Sequence, residues 1–181
     1  MTIQQRTAAV STVLITLLIL AITWAVRVWV RANLPYGGSV SVIGNAFRIT
    51  HSENSGLAFS MLRDSALVPW LSAAALVAVV AYLWHPLQQR WLGQIALGLI
   101  LGGGLANLLD RLADGRVTDY IDWGIGTWRY ATFNLPDTAI VIGFALTGWL
   151  LVQHPIIQVQ HTRANNAGQP GPEAAQHRNE W

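Results

Sequence analysis

The chain has 181 residues, 52% of them hydrophobic and 11% charged, with a formal net charge of +2. It contains no cysteine, which excludes disulfides, thiol nucleophiles and thiolate metal sites, and no lysine, so its eleven Lys/Arg positions are all arginine. Those arginines form no stripe and are not interleaved with aromatics, which argues against nucleic-acid binding, and the composition is that of a membrane protein.

In chain order, the first apolar run, Ala8 to Val26, is long enough to span a bilayer and has no small-residue cleavage pattern. It reads as a retained helix rather than a cleaved signal peptide. The next stretch, Asn33 to Asp64, is too long for a helix hairpin, and "SVSVIGNAFRIT" alternates around Gly44-Asn45, predicting a small β-hairpin at the membrane surface. A second span follows at Ala66 to Trp84, then a short turn, "HPLQQR", and a third span at Trp91 to Leu109. Residues 112–135 read as a loop, and a fourth span begins near Pro136 and ends at Val152. From His154 to Trp181 the chain is polar and rich in Gly, Pro, Asn and Gln, which predicts a disordered tail. The expected fold is therefore an all-α integral membrane protein of four transmembrane helices (about 8–30, 66–84, 91–111 and 136–152) with a small β-hairpin or cradle. Arginines fall on both sides of these spans, so the positive-inside rule does not orient them.

Polar residues crowd four span ends on one side: "ENSGLAF", "GGGLANLLDR", "VTDYID" and "FNLPD". Ionisable groups at membrane depth are costly unless paired or functional. In "FNLPD", Asn134 suits a helix cap, Pro136 the first turn, and Asp137 the positive end of the macrodipole, so a structural explanation of this acid stands beside a chemical one. Asn107 and Arg111 share a helix face. Gly103 and Gly104, one turn earlier, allow a close backbone approach, and Gly98 with Gly102 forms a small-xxx-small packing pair. If the third and fourth spans are antiparallel neighbours, Asp119 and Asp137 converge, and two acids in a dry site share one proton as in an aspartic protease. Asp114 and Asp122 compete for that role on spacing alone. Asn54 and Gly56 read either as a turn or as a peptide-binding rim. His51 and His85 have no metal-ligand spacing.

In this order and between these spans, the four stretches resemble the N-x-G-x-A-F, G-G-x-x-x-N-x-x-D-R, V-x-D-[FY] and F-N-x-x-D motifs of lipoprotein signal peptidase (signal peptidase II), a family of bacterial membrane aspartic proteases. The likeness extends from Ala8 to Val152. It implies a four-helix protein of the cell membrane, with both termini cytoplasmic, a small β cradle over about 36–62 and an active-site loop over 112–135, and its active site near the outer face. Asp119 and Asp137 would be its catalytic dyad, with Asn54, Gly56, Asn107, Arg111 and Asn134 as substrate-side or supporting residues. The implied partners are a prolipoprotein cut before its lipid-modified cysteine, and membrane lipids; no cofactor or metal is implied, and the chain is expected to act as a monomer. Departures from the family pattern are Thr23 and Arg27 in place of an Asp and a Lys, Gly104 and Ala106 exchanged, and Pro136 before the acid. Two rival classes remain: a silent paralogue that binds lipoproteins without cutting them, and a small proton or ion transporter.

Overall fold

Four long apolar runs set the architecture. The computed structural model describes residues 3–57 and 61–167, with side chains described for Thr7 and from Ala9 to Gln153 within them. Helices occupy Ile3–Asn33 (α1), Val68–Gln88 (α2), Trp91–Asp114 (α3) and Leu135–Ala167 (α4). Within them the membrane-competent stretches are Ala9–Asn33, Val68–Gln88, Trp91–Asp114 and Leu135–Gln153. At about 1.5 Å per residue, the shortest of these reaches about 28 Å, close to the hydrocarbon thickness of a bilayer. The protein is a multi-pass membrane protein.

Helix α3 is the central element, with half of its span buried, against 17% for α1 and 11% for α2. Its small residues explain this. A Cβ on Gly98 would lie 2.7 Å from Ile15, and one on Gly102 would lie 2.7 Å from Ile19, so both glycines admit α1. The small-xxx-small pair is a packing seam, as the sequence suggested. Thr12 and Thr16 donate across that seam to the carbonyls of Gln94 and Gly98. The α2–α3 connection is shorter than "HPLQQR" predicted, because α2 continues through Pro86 and only Gln89 and Arg90 separate the helices.

The sheet is larger than the expected hairpin. Strands Ser39–Ile43 (β1), Phe47–Asn54 (β2), Val117–Ile125 (β3) and Trp128–Arg129 (β4) form one antiparallel sheet in the order β1-β2-β3-β4. The hairpin turns at Gly44, φ 48°, with Ile43 opposite Phe47. The segment read as a loop over 112–135 instead completes α3, which ends at Gly115 in the left-handed region (φ 72°), and then runs as β3 and β4. Val117, Thr118, Asp119 and Tyr120 are all buried, so β3 lacks the alternating polarity by which a strand is recognised. A small core of Val30, Leu34 and Tyr120, extended by Val26, Ile49, Ile121 and Leu135, joins the sheet to the ends of α1 and α4. His51 is buried there, with Nδ1 2.9 Å from the Leu34 carbonyl and its ring edge-on to Tyr36. Of the predicted tail, residues up to Ala167 belong to α4 and residues 168–181 lie outside the described residues.

Charges tie α1 to α3. Arg27 pairs with Asp110 and stands 3.8 Å from Asp114, while Arg31 donates to Asp114 at 2.6 Å and to the Thr118 hydroxyl at 2.9 Å. Arg27 thus takes the cationic place in α1, and Thr23, where an acid would be usual, is buried with no hydrogen bond to its hydroxyl among the described residues.

Candidate active site

The start of α4 shows how its first acid is held. Asn134 is the N-cap: its side-chain oxygen accepts the Asp137 N–H at 2.9 Å, and the Asp137 carboxylate accepts the Asn134 N–H at 3.2 Å. That reciprocal pair is a capping box. The Leu135 N–H donates to the Tyr120 hydroxyl at 3.2 Å, Pro136 has no N–H, and the Thr138 N–H reaches the Asn134 carbonyl at 3.2 Å. Every orphan donor of the first turn is therefore satisfied. The structural explanation of Asp137 is correct as far as it goes.

It does not exhaust the carboxylate. The other Asp137 oxygen accepts from the Asn107 side chain at 2.7 Å, which sets α3 against α4. The Asn134 amide nitrogen donates to Asp119 at 2.9 Å and to the Asn107 side-chain oxygen at 3.1 Å. One buried asparagine thus bridges both acids. Close approach of the helices depends on Gly103, where a Cβ would stand 2.4 Å from the Pro136 carbonyl oxygen.

Asp119 lies on β3, opposite Ser52 of β2, and is buried. Burial pushes its pKa from 3.8 up to about 7, and the neighbouring Asp137 charge adds to the rise, against the opposing pull of Asn134, Arg111 and Asn54. Burial also raises the Tyr120 phenol, to about 12, so it stays protonated. Arg111 donates to the Gly56 carbonyl at 2.8 Å and to the Asn107 carbonyl at 3.3 Å, and its Nε is buried without a partner among the described residues. Asn54 accepts the Gly56 N–H at 2.9 Å, closing a turn at the end of β2. Beside Asn107 and Arg111 a cavity of about 310 Å³ opens between α2, α3 and α4, walled by Leu76, Val79, Ile100, Ile140 and Phe144.

All seven residues singled out from sequence, Asn54, Gly56, Asn107, Arg111, Asp119, Asn134 and Asp137, are brought to this one end of the bundle. The competing acids are elsewhere: Asp114 pairs with Arg31, and Asp122 with Arg129 at 2.7 Å. Tyr120 was missed, although it adjoins Asp119 in "VTDY"; its role depends on a contact with Leu135 that spacing does not show.

Fold and site together define a multi-pass membrane protein whose polar centre is a carboxylate pair at one end of a helix bundle. The model of the signal peptidase (SPase) II family matches residues 15–153. The chain belongs to that family and is a membrane peptidase. It is similar to the lipoprotein signal peptidase of Serratia proteamaculans, 38% identical over 133 residues covering 71% of this chain and 78% of the relative. A lipoprotein signal peptidase of Hydrogenovibrio crunogenus is 33% identical over 156 residues, covering 81% and 90%. A bacterial membrane enzyme structure determined by the in meso method superposes with a TM-score of 0.70 at 26% identity, covering 79% of this chain and 93% of the other.

Proposed function

We propose that the chain is an aspartic endopeptidase that removes the signal peptide from diacylglyceryl-modified prolipoproteins by cutting before the lipidated cysteine, with Asp119 and Asp137 as its dyad. One observation carries this reading. The two acids share Asn134, and neither has an arginine in ion-pairing distance among the described residues, whereas Asp110, Asp114 and Asp122 each do. A pair so placed holds one proton between two oxygen-rich groups. The ionised member takes a proton from water as the water oxygen bonds to the scissile carbonyl carbon. The protonated member donates to the carbonyl oxygen, and the C–N bond then breaks as the leaving amine is protonated by the dyad.

Asn107 and Asn134 aim the carboxylates, and Arg111 holds the Asn54–Gly56 rim through the Gly56 carbonyl, where an extended peptide can bond to backbone. The apolar cavity receives side chains of the signal peptide, and the diacylglyceryl group lies in lipid beside the helices. The names of the two relatives above support the substrate class. On this reading the chain works as a monomer in the bacterial inner membrane, with cytoplasmic termini and the site at the outer face.

Cleavage of a diacylglyceryl-modified prolipoprotein peptide by purified wild type, Asp119→Asn and Asp137→Asn tests the reading, with folding checked by thermal melting. Wild type should cut before the lipidated cysteine, and each folded variant should lose about 10³-fold or more in kcat. Folded wild type that binds the peptide without cutting it would overturn the reading in favour of a silent paralogue.

A further inference from the structure

The strand that carries Asp119 is not held evenly along its length. Strands β2 and β3 pair in step from Phe47 opposite Trp123 to Ile49 opposite Ile121, and again from Ser52 opposite Asp119 to Asn54 opposite Val117. Between these blocks β2 has two residues, Thr50 and His51, where β3 has Tyr120 alone, which is a β-bulge. The N–H groups of Tyr120 and Ile121 turn instead to the Phe133 carbonyl, at 2.9 and 2.7 Å. The ladder is thus broken directly beside Asp119, whose register rests on the short block at the start of β3. Successive side chains of a strand face opposite ways, so a slip of one residue would carry Thr118 to the dyad face and Asp119 away from it.

Behind this block stands Arg31. Its place in the last turn of α1 and its bond to Asp114 have a structural explanation, a cation at the negative end of a helix and an ion pair between α1 and α3. That explanation leaves two contacts over. The Arg31 Nε donates to the Thr118 hydroxyl at 2.9 Å, and another of its nitrogens lies 3.8 Å from Glu53, the residue that faces Thr118 across the strands. Thr118 is 2% exposed, and its hydroxyl has Arg31 as partner. One planar guanidinium therefore reaches both strands at the pair next to Ser52 and Asp119. Each residue it reaches adjoins the dyad face: Thr118 precedes Asp119, and Glu53 precedes Asn54, whose side chain acts on the Asp119 carboxylate.

We propose that Arg31 is a positioning residue for the peptidase, fixing the register of β3 through the Thr118 hydroxyl so that Asp119 is presented to Asn134 and Asp137. The assignment rests on the dyad reading above. The polar contacts of Arg31 are with Asp114, Thr118 and Glu53, so it acts through the strand and not on the reacting atoms. A role confined to joining α1 and α3 would show in stability. A role in presenting Asp119 shows in the rate of the chemical step, with substrate binding unchanged.

The test measures kcat and KM of the full chain on a diacylglyceryl-modified prolipoprotein peptide, for wild type, Thr118→Val, Thr118→Ser, Arg31→Gln and the double variant Arg31→Gln/Thr118→Val. Each is assayed below its own melting temperature. Thr118→Val keeps the β-branched shape that suits a strand and removes only the hydroxyl contact. Its kcat should fall about tenfold with KM within about twofold of wild type, the scale of a displacement well under 1 Å. Thr118→Ser keeps the hydroxyl and should stay within about threefold of wild type in kcat. Arg31→Gln should lose about as much as Thr118→Val, and the double variant no more than the larger single loss, because both changes remove one bond. Equal kcat in the Val and Ser variants, a loss confined to KM, or losses that multiply in the double variant overturn the positioning role and leave the peptidase intact. If Arg31→Gln does not fold, the contrast between Val and Ser decides alone. Wild type that cuts nothing overturns the peptidase reading, and this one with it.

Discussion

One end of α3 carries two sets of polar residues that face different ways and are handled differently. Asp110 and Asp114 point to α1, where Arg27 and Arg31 form ion pairs with them. Asn107 and Arg111 point to α4 and the sheet, where the acids Asp119 and Asp137 receive amides instead of ion-pairing cations. The same residue type is thus held in ion pairs on one face and by neutral amide donors on the other. On the proposed mechanism, what separates structural from chemical acids is the partner. A guanidinium in contact stabilises the charged form, while neutral amide donors orient a carboxylate without holding it ionised so firmly.

The largest expected effects would break that contrast from the dyad side. Asp119 has its proton affinity raised by folding, so its contribution to stability is full below about pH 3.8 and is lost as pH rises through about 7. Asp119→Asn removes that loss while abolishing turnover. Thermal melting should show the variant gaining on wild type by the order of 3 kcal/mol between pH 4 and pH 8. A constant difference across that range would mean that Asp119 is not a buried acid of this kind. In wild type, kcat/KM should fall about tenfold per pH unit above the point where the pair loses its shared proton.

A smaller change reaches the site from behind. Gly103→Ala drives a Cβ toward the Pro136 carbonyl, displacing the first turn of α4 and with it Asp137. We expect kcat to drop by about 10²-fold, the scale on which misplacement of about 1 Å acts, with the chain still inserted and folded. Retained activity would show that the α3–α4 spacing is slack. On the α1 face, Asp110→Asn leaves Arg27 with only the more distant Asp114 and should cost about 1.5–3 kcal/mol in chemical unfolding. Its activity at temperatures below its own melting point should stay within a few-fold of wild type. The smallest effect belongs to Asp122→Asn on the sheet, which gives up the Arg129 pair and should change kcat/KM by no more than about twofold.

Much of this was legible before any coordinates. The four spans follow from hydropathy, the hairpin from Gly44-Asn45, and the seven site residues from motifs whose spacing on either side of the third and fourth spans brings them to one end. Local chemistry also showed why Asn134 and Asp137 begin a helix. What escaped was carried by contacts distant in sequence. The pairings of Arg27 with Asp110 and of Arg31 with Asp114 each join residues 83 positions apart. Strand β3 is hard to read from sequence because both of its faces are covered at its start. The stretch "HPLQQR" reads as a turn, but His85 to Gln88, Pro86 included, form the final turn of α2.

The capping box at Asn134 carries a timing rule. The hydrogen bonds that start α4 are also those that orient Asp137 and tie it to Asp119, so the last span and the reaction centre come into being in one event. On the proposed mechanism, a nascent chain that has made α1 to α3 and the sheet holds Asp119 without Asp137 and cannot split water. On that reading proteolytic power is withheld until the final helix docks, and the peptidase passes its own assembly unarmed.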